Sequence, residues 1–330
     1  YYAPKAAYQL LKAGFLVRVA TKEFSTAEGK TFGRGTVLID KGESGLDSQA
    51  FFKKLEEVAQ FAHVDIHALT TGYTQGANLG STFILPLKTP SIALLVDGGV
   101  DSGEAGEIWH LLDQRMQMPV TLLPLGSVSS TNLDRYSVIL MADGSYGSLG
   151  QSGAAALKTW VSKGNTLVAK GGALRFLAQN EIGNFTFRKV DNAEKGLQKS
   201  YADFENATGA KQTFGAIFKS TLDTSHPIGF GYVSRELFTF RNDNFFLEPS
   251  ANPYANPLVY TKDPLASGYL HPSNLPGVQE SAVIRVASQG RGRIVGFADN
   301  PNFRAFWFGT NKLFMNSIFF GQVIDGGTAR

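Results

Sequence analysis

Apolar runs alternate with amphipathic segments along the part of the chain that follows Pro90. The run at 136–144 is apolar on both faces, which is typical of a central strand in a parallel sheet. Further strands are predicted at 91–99, 119–125 and 166–169, with helices at 102–116 and 152–164. Because strands and helices alternate at close spacing, we predict an α/β fold with a doubly wound parallel sheet.

The first 88 residues predict a small α/β unit of their own. Its helices are expected at 4–14 and 46–62, where apolar positions recur at helical spacing. Its strands are expected at 15–20, 35–40 and 64–69, followed by a long Gly- and Thr-rich loop at 70–83.

The second unit covers 89–330, and its pattern changes at about 181–280. This stretch is rich in Asn, Pro, Gly and Phe, and it predicts an insertion of loops and antiparallel strands. A β-hairpin over 281–301, turning at Gln289 and Gly290, and a core-docking helix over 303–323 complete the chain.

The amino-acid composition excludes some kinds of chemistry and gives no signal for some kinds of partner. The 330 residues carry a net charge of +3 and include no cysteine, which excludes disulfides and a Cys nucleophile. No cluster of Lys and Arg predicts a nucleic-acid partner, and no apolar run of about 18 residues predicts a membrane span. The chain opens without Met in what resembles the middle of an α/β unit, so we expect a fragment of a longer polypeptide.

The stretch NTLVAKGGALRFLA at 165–178 predicts a strand, a tight turn and a helix. Many α/β enzymes hold their nucleophile on such an elbow. Here the turn is Lys170-Gly171-Gly172 and contains no Ser, Cys or Thr. Ser145 is the nearest hydroxyl candidate, but no His is placed by the sequence to activate it. We therefore predict no catalytic residue in this chain.

The sequence also predicts no metal or nucleotide cofactor in this chain. The five histidines form no HExxH pair, and His63 and His67 straddle a predicted helix end, where they would not align. The glycine loop at 97–107 could cradle an anion, but Asp101, Glu104 and Glu107 would repel a phosphate.

If a ligand site exists, we expect it at the carboxyl ends of the parallel strands, where open α/β sheets place their ligands. The candidates are the loop residues after the predicted strands: Asp97, Gly98, Gly99, Asp101, Asp143, Ser145, Tyr146, Lys170, Gly171, Asp299, Asn300 and Asn302. Carboxylates near Lys170 would shift one another's pKa. The alternative is that Asp143 and Asp299 cap helices or close turns.

Several long stretches together resemble a known family. They are PSIALLVDGG, GEAGEIWHLLDQRMQMPVTLL, LDRYSVILMADGSY, GNTLVAKGGALRFL and GRGRIVGFADNPNFRAFWFGTNKLFMNSIFFG. In this order they resemble the C-terminal half of large secreted bacterial zinc carboxypeptidases of the carboxypeptidase A-like metallopeptidase family. LLKAGFLVRVATKEF and FGRGTVLID resemble the linker unit that follows the zinc domain in that family.

The resemblance implies a flavodoxin-like domain similar to class I glutamine amidotransferases, without their catalytic triad. Cys is missing at the elbow, and Asp299 and Asn300 stand where the family's His would be expected. Zinc is implied for the parent protein only, with its ligands in an upstream peptidase domain of the same polypeptide. Secretion or a periplasmic location is implied too. Three functions stay open. The chain could be an accessory non-catalytic region, a peptide- or glycan-binding module that uses the cleft at the carboxyl ends of the strands, or an enzyme of unrecognised chemistry in that cleft.

Overall fold

The structure is a computed structural model, and it describes residues 1–42, 44–190 and 200–329. The helices in this part of the chain are α1 Ala3–Lys12, α2 Ser48–Ala62, α3 Ser102–Trp109, α4 Gly150–Ser162, α5 Gly172–Gln179, α6 Phe204–Ala210, α7 Leu275–Val278 and α8 Asn311–Phe320. The strands are β1 Val17–Ala20, β2 Phe24–Ser25, β3 Thr31–Phe32, β4 Val37–Ile39, β5 Gln75–Gly76, β6 Ile84–Pro86, β7 Ile92–Val96, β8 Val120–Pro124, β9 Val138–Met141, β10 Thr166–Lys170, β11 Ala216–Leu222, β12 Glu236–Arg241, β13 Leu258–Gly268, β14 Ala282–Gln289 and β15 Gly292–Phe297. None of the described helices is long and apolar enough to cross a membrane.

The largest sheet has a parallel half that follows the flavodoxin-like order. Its strands run β8-β7-β9-β10-β15, and every neighbouring pair is parallel. Numbered along the chain, this order is 2-1-3-4-5, one of the two common doubly wound arrangements. All residues of β9 and β10 are buried, as expected for strands with covered faces on both sides. The predicted fold class is therefore confirmed.

The strands of the predicted insertion extend this sheet instead of forming a separate layer. Beyond β15 the order continues β14-β13-β11-β12, and all these pairings are antiparallel. The predicted hairpin is β14 and β15, with Gln289 paired to Gly292 across the turn. Residues 191–199, which belong to the predicted insertion, lie outside the described part of the chain.

The described residues among the first 88 form two helices and two small antiparallel sheets, ordered β4-β1-β6 and β3-β2-β5. The predicted strand at 64–69 is wrong, because this segment is irregular and leaves Ile66 exposed. β1 is the central strand of its sheet, and β4 and β6 occupy both of its edges. The segment at 64–69 therefore has no edge of β1 left to pair with.

Apolar side chains cover both faces of the large sheet. One buried cluster includes Trp160 and Leu174 from α4 and α5. The other cluster contains side chains of α3 and α8 together with Tyr8 of α1 and Phe51 of α2. The core of the first 88 residues is therefore continuous with the core on the α3 and α8 face of the large sheet. Trp160 is 1% exposed, and its indole N–H donates to the carbonyl of Tyr136 at 3.0 Å.

Two predicted helices around the carboxyl edge of the sheet differ in the structure. The helix predicted at 102–116 is α3 followed by a π-helical segment, His110–Arg115. The helix predicted at 303–323 begins only at Asn311, because Arg304 and Ala305 adopt the left-handed backbone conformation, which an α-helix excludes. The segment before α8 instead exposes about half of the side chains of Phe306 and Phe308 at the surface.

Candidate functional site

The candidate site is built on the turn that follows the central strand β10. The strand ends at Lys170, Gly171 has φ 54° and ψ −121°, and α5 begins at Gly172. Because Gly has no Cβ, it adopts this backbone conformation without the strain that an L side chain would suffer. The predicted strand–turn–helix elbow is therefore present, with Gly171 in the place of a nucleophile.

The carboxylate of Asp143 fills the space at this elbow. A Cβ added to Gly171 would lie 2.4 Å from Asp143 Oδ1, and one added to Gly172 would lie 2.1 Å from the carbonyl oxygen of Gly144. Asp143 Oδ1 accepts hydrogen bonds from the amides of Gly172 at 2.6 Å and Gly144 at 2.8 Å. In elbow enzymes the amide after the nucleophile helps to hold the oxyanion. Here that amide binds the protein's own carboxylate.

A buried lysine lies beside this carboxylate. Lys170 Nζ donates to Glu104 Oε1 and lies 3.8 Å from Asp143 Oδ2, while Glu104 Oε2 accepts from the amide of Asp143 at 3.1 Å. Burial lowers the pKa of Lys170, but the charges of Glu104, Asp243 and Asp143 outweigh burial and raise that pKa overall. A lysine held as a cation is neither a nucleophile nor a base at neutral pH.

The pKa values of both partners of this ion pair are raised, with opposite consequences for their charged forms. Burial raises the pKa of Glu104, and so disfavours its charge, although Lys170 acts in the other direction. The charge of Lys170 is favoured. We take the pair as ionised at neutral pH, because Glu104 accepts hydrogen bonds at both oxygens, from Lys170 and from the amide of Asp143.

The loops after β7 and β9 pack against each other next to this cluster. Asp101 Oδ1 accepts from the amide of Glu104 at 2.8 Å and so caps α3. The carbonyl of Gly99 accepts from the amide of Ser145 at 2.9 Å. Ser145 is exposed, and no histidine of the described residues makes a hydrogen bond to it.

The remaining candidates of these loops have structural contacts. Gly98 accepts from Ser148 Oγ at 2.9 Å, and Asp97 has φ 64° in the turn after β7. Tyr146 is buried, its hydroxyl donates to the carbonyl of Ala142 at 2.8 Å, and burial raises its pKa.

Asp299 belongs to a second buried network that faces the insertion strands. Arg241 Nη1 donates to Asp299 Oδ1 at 2.9 Å, and the hydroxyl of Tyr260 donates to Asp299 Oδ2. Burial raises the pKa of Asp299, and the charge of Arg241 opposes this shift. Arg241 lies on β12 and Tyr260 on β13, within a stretch that contained no motif, so sequence reasoning missed both residues.

Asn300 and Asn302 complete the carboxyl edge near α3. Asn300 Nδ2 donates to Glu107 Oε2 at 2.6 Å, and Asn302 Oδ1 accepts from Asn311 Nδ2 at 2.9 Å. Glu104 and Glu107 were read from the sequence only as acids that repel phosphate. Their spacing of three residues on α3 was a usable signal, because it places both on one helix face.

A small cavity lies against the Lys170–Glu104 pair. Asn300 and Asn302 line it together with apolar residues that include Phe297, and it has room for about one water molecule. Asn302 is 1% exposed, and its Nδ2 has no hydrogen-bond partner among the described residues.

The two histidines considered as a metal pair are not aligned. His63 ends α2 in the left-handed conformation, and His67 lies in the irregular segment, where its ring is 2.9 Å from Lys30 Nζ. Within the described ranges, no group of three or more His, Asp or Glu side chains is arranged to hold a metal ion.

No family model matches this chain, and no curated protein matches it. Similar solved structures include PurLQS from Thermotoga maritima, at 12% identity over 69% of this chain and 97% of that chain, with a TM-score of 0.47. A ThuA-like protein from Parabacteroides merdae has 13% identity over 71% of this chain and 90% of its own, with a TM-score of 0.47. A GMP synthase protein from Thermoplasma acidophilum has 14% identity over 69% of this chain and 92% of its own, with a TM-score of 0.38. The strand order, and not these similarities, establishes the fold.

Proposed function

We propose that this chain is a non-catalytic accessory region of a larger protein. The observation that carries the proposal is the carboxylate of Asp143, which occupies the place of a nucleophile side chain at Gly171 and hydrogen-bonds the Gly172 amide. An elbow enzyme needs both a nucleophile and a free amide at this point. This chain offers neither.

Absence of catalysis is tested by assaying glutamine and activated-ester hydrolysis with the purified chain. We expect no turnover above that of buffer. Gly171→Ala, which changes the elbow, and Gly106→Ala, on the exposed face of α3, serve as a matched pair. Turnover in the wild type that Gly171→Ala abolishes and Gly106→Ala preserves would overturn the proposal.

For the parent protein we propose an exported zinc carboxypeptidase-like enzyme, which would remove C-terminal residues from peptides. The support is the sequence resemblance of the stretches quoted above. Under this proposal, zinc and its ligands belong to a peptidase domain outside this chain. A secreted or periplasmic bacterial location belongs to the same proposal.

The gene upstream of the codon for Tyr1 tests this parentage directly. We expect a signal peptide and a His-x-x-Glu motif with a distant His, which together form a zinc peptidase site. A start codon at or near Tyr1, with no peptidase domain, would refute the parentage. That outcome would not affect the proposal of a non-catalytic region, because that proposal is based on the closed elbow and not on the parentage.

A peptide- or glycan-binding module is the second candidate. The observation that favours it is a set of exposed aromatic side chains, Trp109, Phe306 and Phe308, on the segments that flank the carboxyl edge of the sheet. Exposed apolar surface of this kind is typical of binding sites. We expect a rise in melting temperature with a peptide or sugar that Phe306→Ser removes and Tyr73→Ser, in the loop before β5, does not. If no peptide and no sugar in a panel of each raises the melting temperature, the binding function is refuted.

A further inference from the structure

The environment of Asp143 has the composition of a site for a bound carboxylate. Oδ1 is held by two backbone amides, from Gly172 at 2.6 Å and Gly144 at 2.8 Å. Oδ2 lies 3.8 Å from Lys170 Nζ, a buried cation. Two N–H donors and a cation are the groups that recognise a carboxylate in proteins.

Most of this environment comes from an element other than the one that carries Asp143. Gly172 and Lys170 belong to the β10–α5 elbow, and Gly172 is 29 residues from Asp143 along the chain. The elbow's shape is fixed by Gly171, and the first amide of α5 adds the positive end of a helix dipole. Asp143 therefore reaches the elbow from a separate loop, as a ligand would.

A small cavity also lies near Lys170, although Asp143, Gly144 and Gly172 are not among the residues that line it. The cavity against the Lys170–Glu104 pair is lined by Asn302, whose buried Nδ2 lacks a hydrogen-bond partner in the described part of the chain. A buried donor without a partner is rare in proteins and indicates a water or ligand atom nearby.

We propose that the amides of Gly144 and Gly172, together with Lys170, form a binding site for a small carboxylate, and that Asp143 occupies this site as an internal ligand. In the wild-type protein this site cannot bind a free carboxylate, because the side chain of Asp143 fills it. A free carboxylate of matching size takes the place of the Asp143 carboxylate once that group is removed. This inference does not depend on the accessory function proposed above.

The experiment pairs two variants with two carboxylates of matching size. Asp143→Ala removes only the carboxylate and leaves the space of formate, whereas Asp143→Gly also removes the Cβ and leaves the space of acetate. Melting temperature is measured against ligand concentration, with sodium chloride added to keep the ionic strength constant. We expect both variants to melt below the wild type, and the matched carboxylate to recover at least about half of the loss with saturation.

The surface variant Asp134→Ala is the control, since Asp134 is also a carboxylate in an ion pair, with Lys163. Neither it nor the wild type is expected to shift by more than roughly 1 °C, because neither has an empty site that binds the ligand. A variant that refolds only in the presence of its matched carboxylate also supports the proposal. The proposal is overturned if neither variant shows a saturable response, if neither refolds with or without its carboxylate, or if Asp134→Ala responds equally.

Discussion

Adding one methyl group at the elbow should destabilise the protein strongly. Gly171→Ala forces an L side chain into the conformation with φ 54° and ψ −121°, a strain of about 1–3 kcal/mol. The new Cβ would also lie 2.4 Å from Asp143 Oδ1, and overpacking of this kind costs about 1–3 kcal/mol. Together the two effects predict a loss of about 2–6 kcal/mol in the free energy of unfolding.

Urea unfolding followed by tryptophan fluorescence measures this loss. The control is Gly106→Ala on α3, where the added Cβ would meet no atom within 4 Å and the backbone is helical. Alanine is the better helix former, so we expect this control to be more stable by about 0.5–1 kcal/mol. The two substitutions add the same methyl group, so their difference isolates the geometry of the elbow.

A double-mutant cycle separates strain from collision. In Gly171→Ala/Asp143→Gly the carboxylate is gone, so the backbone strain persists and the collision does not. We expect a coupling free energy of about 1–3 kcal/mol between the two positions. Additive effects, or a Gly171→Ala protein within about 0.5 kcal/mol of the wild type, would show that the carboxylate does not fill the elbow.

The other predictions concern buried charges, and each is measured by urea unfolding. Arg241→Met should cost about 3–5 kcal/mol because it leaves Asp299 charged and buried without its partner. Lys163→Met, which breaks an exposed pair, should cost less than about 1 kcal/mol. Burial lowers the pKa of His226 from 6.5 to about 4, so stability present above pH 6.5 should fall by up to about 3 kcal/mol towards pH 4, and His226→Asn should abolish this loss. Because the pKa of Lys170 is raised above 10.5, its contribution should be complete below pH 10.5 and decline above it, and a pH-independent alkaline range would refute this.

Local patterns of apolar and polar residues were sufficient to predict the strands whose residues are all buried. The segment of β9 was predicted as a strand because it is apolar on both faces, and that of β10 because it is one continuous apolar run. Both strands are fully buried. The segment 64–69, in contrast, mixes apolar and polar residues, and it forms no strand. Both edges of β1 are occupied by β4 and β6, so this segment could not join the sheet beside β1.

The terminal segment shows the same limit for helices. Residues 303–323 are apolar enough for one helix, but the backbone turns left-handed at Arg304 and Ala305 before α8 begins. The amide of Arg304 donates instead to Glu107 Oε1 at 2.6 Å. A hydrogen bond to another helix, almost two hundred positions away, is not visible in local periodicity.

The sequence by itself determined the parallel sheet, the elbow at Lys170-Gly171-Gly172 and the lack of a Cys or hydroxyl nucleophile there. These features depend on residue type and near neighbours, so a linear pattern carries them. Only the tertiary structure decided that Asp143 fills the elbow, that Arg241 pairs with Asp299, and that the insertion extends the main sheet. The physical reason is that charge pairing and strand pairing depend on where separate loops meet in space, which the spacing along the chain does not specify.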